Sequence, residues 1–97
     1  MSTEAELFDA LALQVEISKF GTRSYYNHAG QLHRDSGPAV TWSNGAKEWY
    51  QNGKLHREDG PAIESPSGFH SWYLHGVRYT KLDYYQELVD RGLYKDC

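Results

Sequence analysis

Cysteine is almost missing from this chain: Cys97, the last of 97 residues, stands alone. A single thiol excludes an internal disulfide and any cysteine-rich zinc site, and it suits a reducing compartment. Long apolar runs are missing too, so no membrane-crossing segment and no membrane partner are expected. No basic stretch followed by an apolar core opens the chain at Met1, so no secretory leader is expected either. These absences together predict a cytoplasmic protein. Charge of one sign is also lacking. The net charge of −3 divides into −3 over residues 1–20, +1 over 21–79 and −1 over 80–97. A strong nucleic-acid binder carries more basic bias than this, and a whole-protein mimic of DNA would carry more acid. All five histidines lie in the middle segment, which turns basic as they protonate around pH ~6.5.

What the chain does have is aromatic residues, 14% of the total, and nine glycines. Both point to strands and tight turns. The chain also repeats itself. Shifted by 23 residues, Leu32-His33-Arg34 falls on Leu55-His56-Arg57, and Gly37-Pro38-Ala39-Val40 falls on Gly60-Pro61-Ala62-Ile63. Trp49-Tyr50 falls on Trp72-Tyr73, and an earlier pair, Tyr25-Tyr26, keeps the same distance from its preceding glycine. Asn52-Gly53 and His75-Gly76 have the form of hairpin turns. Ser43-Asn44-Gly45 and Pro66-Ser67-Gly68 mark the opposite hairpin ends. Proline cannot donate to a ladder, so Lys54–Ser65 is either one strand bent at Asp59-Gly60-Pro61 or two short ones.

The fold class expected is mainly β (α+β): an antiparallel meander of about six strands, built of 23-residue hairpin repeats with a short helix at each end. A single domain spans 1–97, with an N-terminal capping helix over 1–14, the β-repeat sheet over 15–79, and a C-terminal helix and tail over 80–97. Thr3 and Glu6 have capping-box spacing ahead of Leu7, Phe8 and Leu11. Thr80 and Asp83 have an acidic variant of it, ahead of a stripe of Leu82, Tyr85, Leu88 and Val89, with Gly92 as the stop.

The unit Trp49-Tyr50-Gln51-Asn52-Gly53-Lys54-Leu55-His56-Arg57-Glu58-Asp59-Gly60-Pro61-Ala62 resembles the MORN-like β-hairpin repeats of small bacterial and bacteriophage proteins. Their unit reads W-Y-x-N-G-x-L-H-R-x-D-G-P-A. The resemblance covers residues 15–79. Its first copy has Ser36 in place of Asp, and its third breaks off with Tyr79 in place of His. It implies a single-layer sheet with a scaffold or interaction role, often in phage-encoded accessory proteins, and it transfers no catalytic residue.

No nucleophile–base constellation accompanies these motifs, so no enzyme is expected. His33-Arg34-Asp35 lacks the companions that the same tripeptide has in kinases. His33 and His56 sit one repeat apart, roughly 9–10 Å on a sheet, too far to share a metal. No cofactor and no metal are therefore expected. Strand alternation puts Tyr25, Trp49 and Trp72 on one face and Tyr26, Tyr50 and Tyr73 on the other. With Arg34 and Arg57, these residues are the candidate partner-binding set. They predict a protein-interaction module, with a homodimer built from a sheet face or from the terminal helices; the resemblance implies that the partner is a host or phage protein. On the resemblance, such a module would be an accessory protein acting by stoichiometric binding, for example against a host defence complex. The alternative is single-stranded nucleic acid or nucleotide binding, with bases stacked on the ladder and Arg23, Arg34, Arg57 and Arg78 on phosphates.

Overall fold

The computed structural model describes residues 14–93, and its sharpest reversals fall at the two X-Gly turns. Asn52-Gly53 takes φ of 51° and 82°, and His75-Gly76 takes 51° and 84°. Two successive left-handed residues make the tight hairpin turn whose twist matches that of the flanking strands. Glycine has a different task at Gly60. A Cβ built there would lie 3.1 Å from Cζ of Arg57, so the absence of a side chain lets the guanidinium lie across the loop.

Among the described residues nine short strands result: β1 Gln14–Ile17, β2 Arg23–Tyr26, β3 Val40–Thr41, β4 Lys47–Glu48, β5 Tyr50–Gln51, β6 Lys54–Leu55, β7 Ile63–Glu64, β8 His70–Leu74 and β9 Val77–Tyr79. Seven form one sheet in the order β1-β2-β3-β4-β7-β8-β9, and β5-β6 form a separate pair. Every pairing is antiparallel. Among the described residues the architecture is thus mainly antiparallel β with one short helix, α1 Lys81–Asp90. No helix among the described residues is long and apolar enough to cross a membrane. The strands outnumber the expected six in part because Trp49 separates β4 from β5. Its N–H bonds to the Ala62 carbonyl on one side, and its carbonyl accepts from His56 N–H. The strand therefore changes partner from β7 to β6 at that residue, and Lys54–Ser65 resolves into two short strands. The helix expected over residues 1–14, with Thr3, Glu6, Leu7, Phe8 and Leu11, lies outside the described residues except for Gln14, which opens β1.

α1 packs against β8 and β9. Thr80 caps its start by accepting from Asp83 N–H at 3.2 Å. At its end Gly92 N–H bonds to the Val89 carbonyl and Leu93 N–H to that of Leu88, the paired bonds of a Schellman stop. The helix is turned differently from the expected stripe. Tyr84 and Leu88 are buried with Leu74, and Trp72, Tyr79, Tyr85 and Leu93 pack around them. Leu82 is 81% exposed and Val89 54%. The reason is polar. The Tyr84 hydroxyl donates to the Arg57 carbonyl and accepts from Gly60 N–H, so Tyr84 rather than Tyr85 must face the sheet.

Candidate functional site

The register places Ser24, Val40, Glu48, Ile63 and Ser71 in one row across the sheet. Their neighbours Tyr25, Trp49 and Trp72 consequently face the other way. That second face is largely covered by the chain itself. The Arg34 guanidinium lies 4.0 Å above the ring of Tyr25 and that of Arg57 3.8 Å above Trp49. Arg57 also bonds Asp59 at 2.8 Å, Glu64 at 2.9 Å and the Pro61 carbonyl at 3.0 Å. Tyr25 is buried, and Trp72 packs into the α1 cluster. Stacking of this kind makes each Arg–aromatic pair a packing unit of its loop. A base could stack on Tyr25 or Trp49 only by displacing the arginine already there.

Histidines tie each of these loops to the next turn. His33 Nδ1 accepts from Asn52 N–H at 3.0 Å, and His56 Nδ1 accepts from His75 N–H at 2.9 Å. Accepting at Nδ1 places the proton of the neutral ring on Nε2. That nitrogen faces Asp35 at 3.3 Å in His33 and Glu58 at 3.0 Å in His56. Among the described residues, no three His, Cys, Asp or Glu side chains are grouped to hold a metal.

The opposite face carries Tyr26, Tyr50 and Tyr73, all half-buried. Here one carboxylate organises two aromatic side chains. Glu48 Oε1 accepts from the Tyr50 hydroxyl at 3.0 Å, and its Oε2 accepts from Trp42 Nε1 at 2.9 Å. Burial, then the bond to Glu48 and its charge, push the Tyr50 phenol up to about 12, so it remains a neutral donor at any physiological pH. Trp42 is 45% exposed, a large ring with its polar edge held and part of its surface open to solvent. Phe20 and Phe69, at neighbouring sheet-end turns, are exposed as well.

Of the candidate residues, Arg34 with Tyr25 and Arg57 with Trp49 are brought together as internal stacks. Tyr50 joins a cluster that the aromatic-pair reading missed, because that reading left out Trp42 and Glu48. A signal for it did exist. Val40 pairs with Glu48 and Thr41 with Lys47, so Trp42, just beyond Thr41, is the diagonal neighbour of Glu48 across the hairpin closed by Ser43-Asn44-Gly45. Long side chains at such diagonal positions reach each other. No protein-family model, curated protein or solved structure matches the chain.

Proposed function

We propose that the chain is a non-enzymatic protein-interaction module, binding a partner protein stoichiometrically through the sheet face that carries Trp42, Glu48 and Tyr50. The observation that carries this reading is the bidentate hold of Glu48 on both aromatic side chains. Side chains fixed before binding lose little rotamer entropy on contact. Trp and Tyr in such a state are the residue types that dominate interface energetics. Tyr26 and Tyr73 flank the cluster on the same face, where half-exposed rings add area. Hydrogen bonds that recur at the 23-residue spacing support reading residues 15–79 as hairpin repeats that serve as a rigid platform. A helix at each end would close the array. The resemblance to MORN-like repeats extends the reading to a phage-encoded accessory protein whose target is a host protein, such as a component of a defence complex.

Affinity capture from a bacterial lysate, compared among variants, tests this proposal. Trp42→Ala and Glu48→Gln should each reduce the captured partner at least tenfold while the thermal midpoint shifts by only a few degrees. Trp49→Phe, under Arg57 on the covered face, should leave capture unchanged. Equal recovery by wild type and Trp42→Ala would refute the assignment. Salt-sensitive binding of labelled oligonucleotides, lost on replacing Arg23 and Arg78, would favour the nucleic-acid reading instead.

A further inference from the structure

The two faces of the sheet each hold a tryptophan beside a carboxylate, and only one of them adds a cation. On the face that packs against α1, the Arg57 guanidinium lies 3.8 Å above the ring of Trp49 and bonds Glu64 at 2.9 Å. The planar cation stacks on the indole while its N–H groups reach the acid at its side. On the opposite face Glu48 Oε2 accepts from the Trp42 indole N–H at 2.9 Å, and Oε1 from the Tyr50 hydroxyl at 3.0 Å. Both donors are neutral, so the charge of Glu48 is fixed in place but not cancelled. Among the described residues no Lys, Arg or His forms an ion pair with Glu48. None of the described cations lies over the Trp42 ring either. Glu48 shares its row with Glu16, Ser24, Val40, Ile63 and Ser71, which include no basic residue. Of the residues that the strand pairings place on this face, only Arg78 is basic, opposite Tyr73 on the edge strand β9. Lys47, next to Glu48 in sequence, faces the other way by alternation.

Charge complementarity therefore names what this face lacks. We infer that it takes an arginine side chain of the partner protein, with the guanidinium stacked on Trp42 and paired with Glu48. This rests on the reading of the Trp42, Glu48 and Tyr50 face as the docking face. The ring of Trp42 is 45% exposed, and an ionised carboxylate offers about four lone-pair sites, so Glu48 can still accept beyond its two existing bonds. Arginine suits the site better than lysine. Its flat, weakly hydrated fork can lie on an indole and bond a carboxylate at once, as Arg57 does, whereas an ammonium is a compact, strongly hydrated point charge. The two hydrogen bonds to Glu48 hold ring and carboxylate in position before binding, which lowers the ordering cost.

The probe is a capped Gly-Arg-Gly peptide, followed by the Trp42 indole N–H signal in nitrogen–proton correlation spectra and assigned by its loss in Trp42→Phe. That signal should shift saturably with Kd on the order of 1–10 mM, as befits one side chain. The indole signals of Trp49 and Trp72 should stay in place. The citrulline peptide, of the same shape without the charge, should bind at least tenfold more weakly, and the lysine peptide about threefold more weakly. Glu48→Gln should weaken the arginine peptide at least tenfold, with circular dichroism to show that the variant is folded. The comparison of the three peptides on wild type needs no variant at all. No shift up to about 50 mM peptide would overturn the inference. So would citrulline binding as well as arginine, lysine binding more tightly, or a folded Glu48→Gln that binds as wild type does. Partner capture is read separately. Capture lost in Trp42→Ala without any arginine binding would sink this inference and leave the interaction module standing. Arginine binding with capture undiminished in Trp42→Ala would do the reverse.

Discussion

The loops 33–38 and 56–61 are built from nearly the same residues, yet they are held down by different means. Both put an arginine on an aromatic ring, Arg34 on Tyr25 and Arg57 on Trp49. Both send a guanidinium N–H to a proline carbonyl, at 3.4 Å to Pro38 and 3.0 Å to Pro61. In both, the arginine N–H bonds at 3.2 Å to the carbonyl of a tyrosine in the next unit, Tyr50 or Tyr73. The differences lie in what satisfies the remaining polar groups. The Arg34 carbonyl accepts from Gln51 Nε2 at 3.0 Å. At the place equivalent to Gln51 the second unit has Leu74, which cannot donate, and the Tyr84 hydroxyl from α1 serves the Arg57 carbonyl instead. Arg57 further gains carboxylates in Asp59 and Glu64, where the first unit has Ser36 and Thr41. The stack and the histidine tie are thus the constant part of the unit. The variable part adapts each loop to its neighbour, a further unit for the first loop and a helix for the second.

Removing the helix contribution should separate the two loops most sharply. Tyr84 is fully buried, so Tyr84→Ala combines a cavity with two orphaned backbone groups and should cost about 3–5 kcal/mol. That is a large share of the ~5–15 kcal/mol that a small domain commands. Tyr84→Phe keeps the ring but strands the Arg57 carbonyl and Gly60 N–H, for about 1–3 kcal/mol. Gln51→Ala makes the matching deletion in the first loop, where Gln51 is only half-buried and water can replace the amide. It should cost about 1 kcal/mol or less. Urea denaturation of the three variants measures the order. If Gln51→Ala equals or exceeds Tyr84→Phe, the helix is not what distinguishes the second loop.

The arginines themselves give a smaller contrast. Arg57→Ala removes a stack and leaves Glu64 without its bond, for about 2 kcal/mol. Asp59 is exposed, and its share of that figure is small because water screens it. A double-mutant cycle between Arg57→Ala and Glu64→Gln should give a coupling of about 1 kcal/mol. A coupling near zero would show that the stack on Trp49, and not the carboxylate, is what Arg57 contributes.

Much of this was legible in the residues and some of it was not, for identifiable reasons. The antiparallel sheet, the reversals at Asn52-Gly53 and His75-Gly76, the Thr80 cap and the Gly92 stop follow from local chemistry, and the structure has them. The break at Trp49 was hidden because no local signal marks a residue whose strand changes partner. The facing of α1 was misjudged because Tyr84 and Tyr85 are equivalent in hydropathy, while the choice between them is made by a carbonyl 27 positions away. The substitution of Leu74 for Gln51 was visible in the repeat alignment. It becomes a clue only once the carbonyl that Gln51 serves is known. For the candidate site, alternation placed the tyrosines on one face, but the role of Glu48 depended on a cross-strand register that composition cannot supply.

The smallest expected effect concerns the turn residue His75, which stands where the first unit has Asn52. Its ring lies 4.3 Å from that of His56. The water it loses there lowers its pKa from the usual histidine value first of all, followed by the His56 ring, Arg91 and Lys54, against an opposing pull from Glu58. A histidine depressed in the folded state binds fewer protons there than in the unfolded chain at pH values between the two pKa values. Stability from this group is therefore complete well above pH ~6.5 and declines as pH falls through that value. His75→Asn deletes the titration and makes the second turn Asn-Gly, like the first. It also puts at φ 51° a residue that tolerates left-handed backbone better than histidine does, while His56 Nδ1 keeps its bond to the backbone N–H. The variant should be as stable as wild type or slightly more so at about pH 7.5, and it should lose less between about pH 7.5 and 5.5. Urea midpoints at both pH values decide the point. An unchanged pH dependence would mean that His75 titrates alike in the folded and unfolded chains, and that the ring contact with His56 does not distinguish this turn from the first.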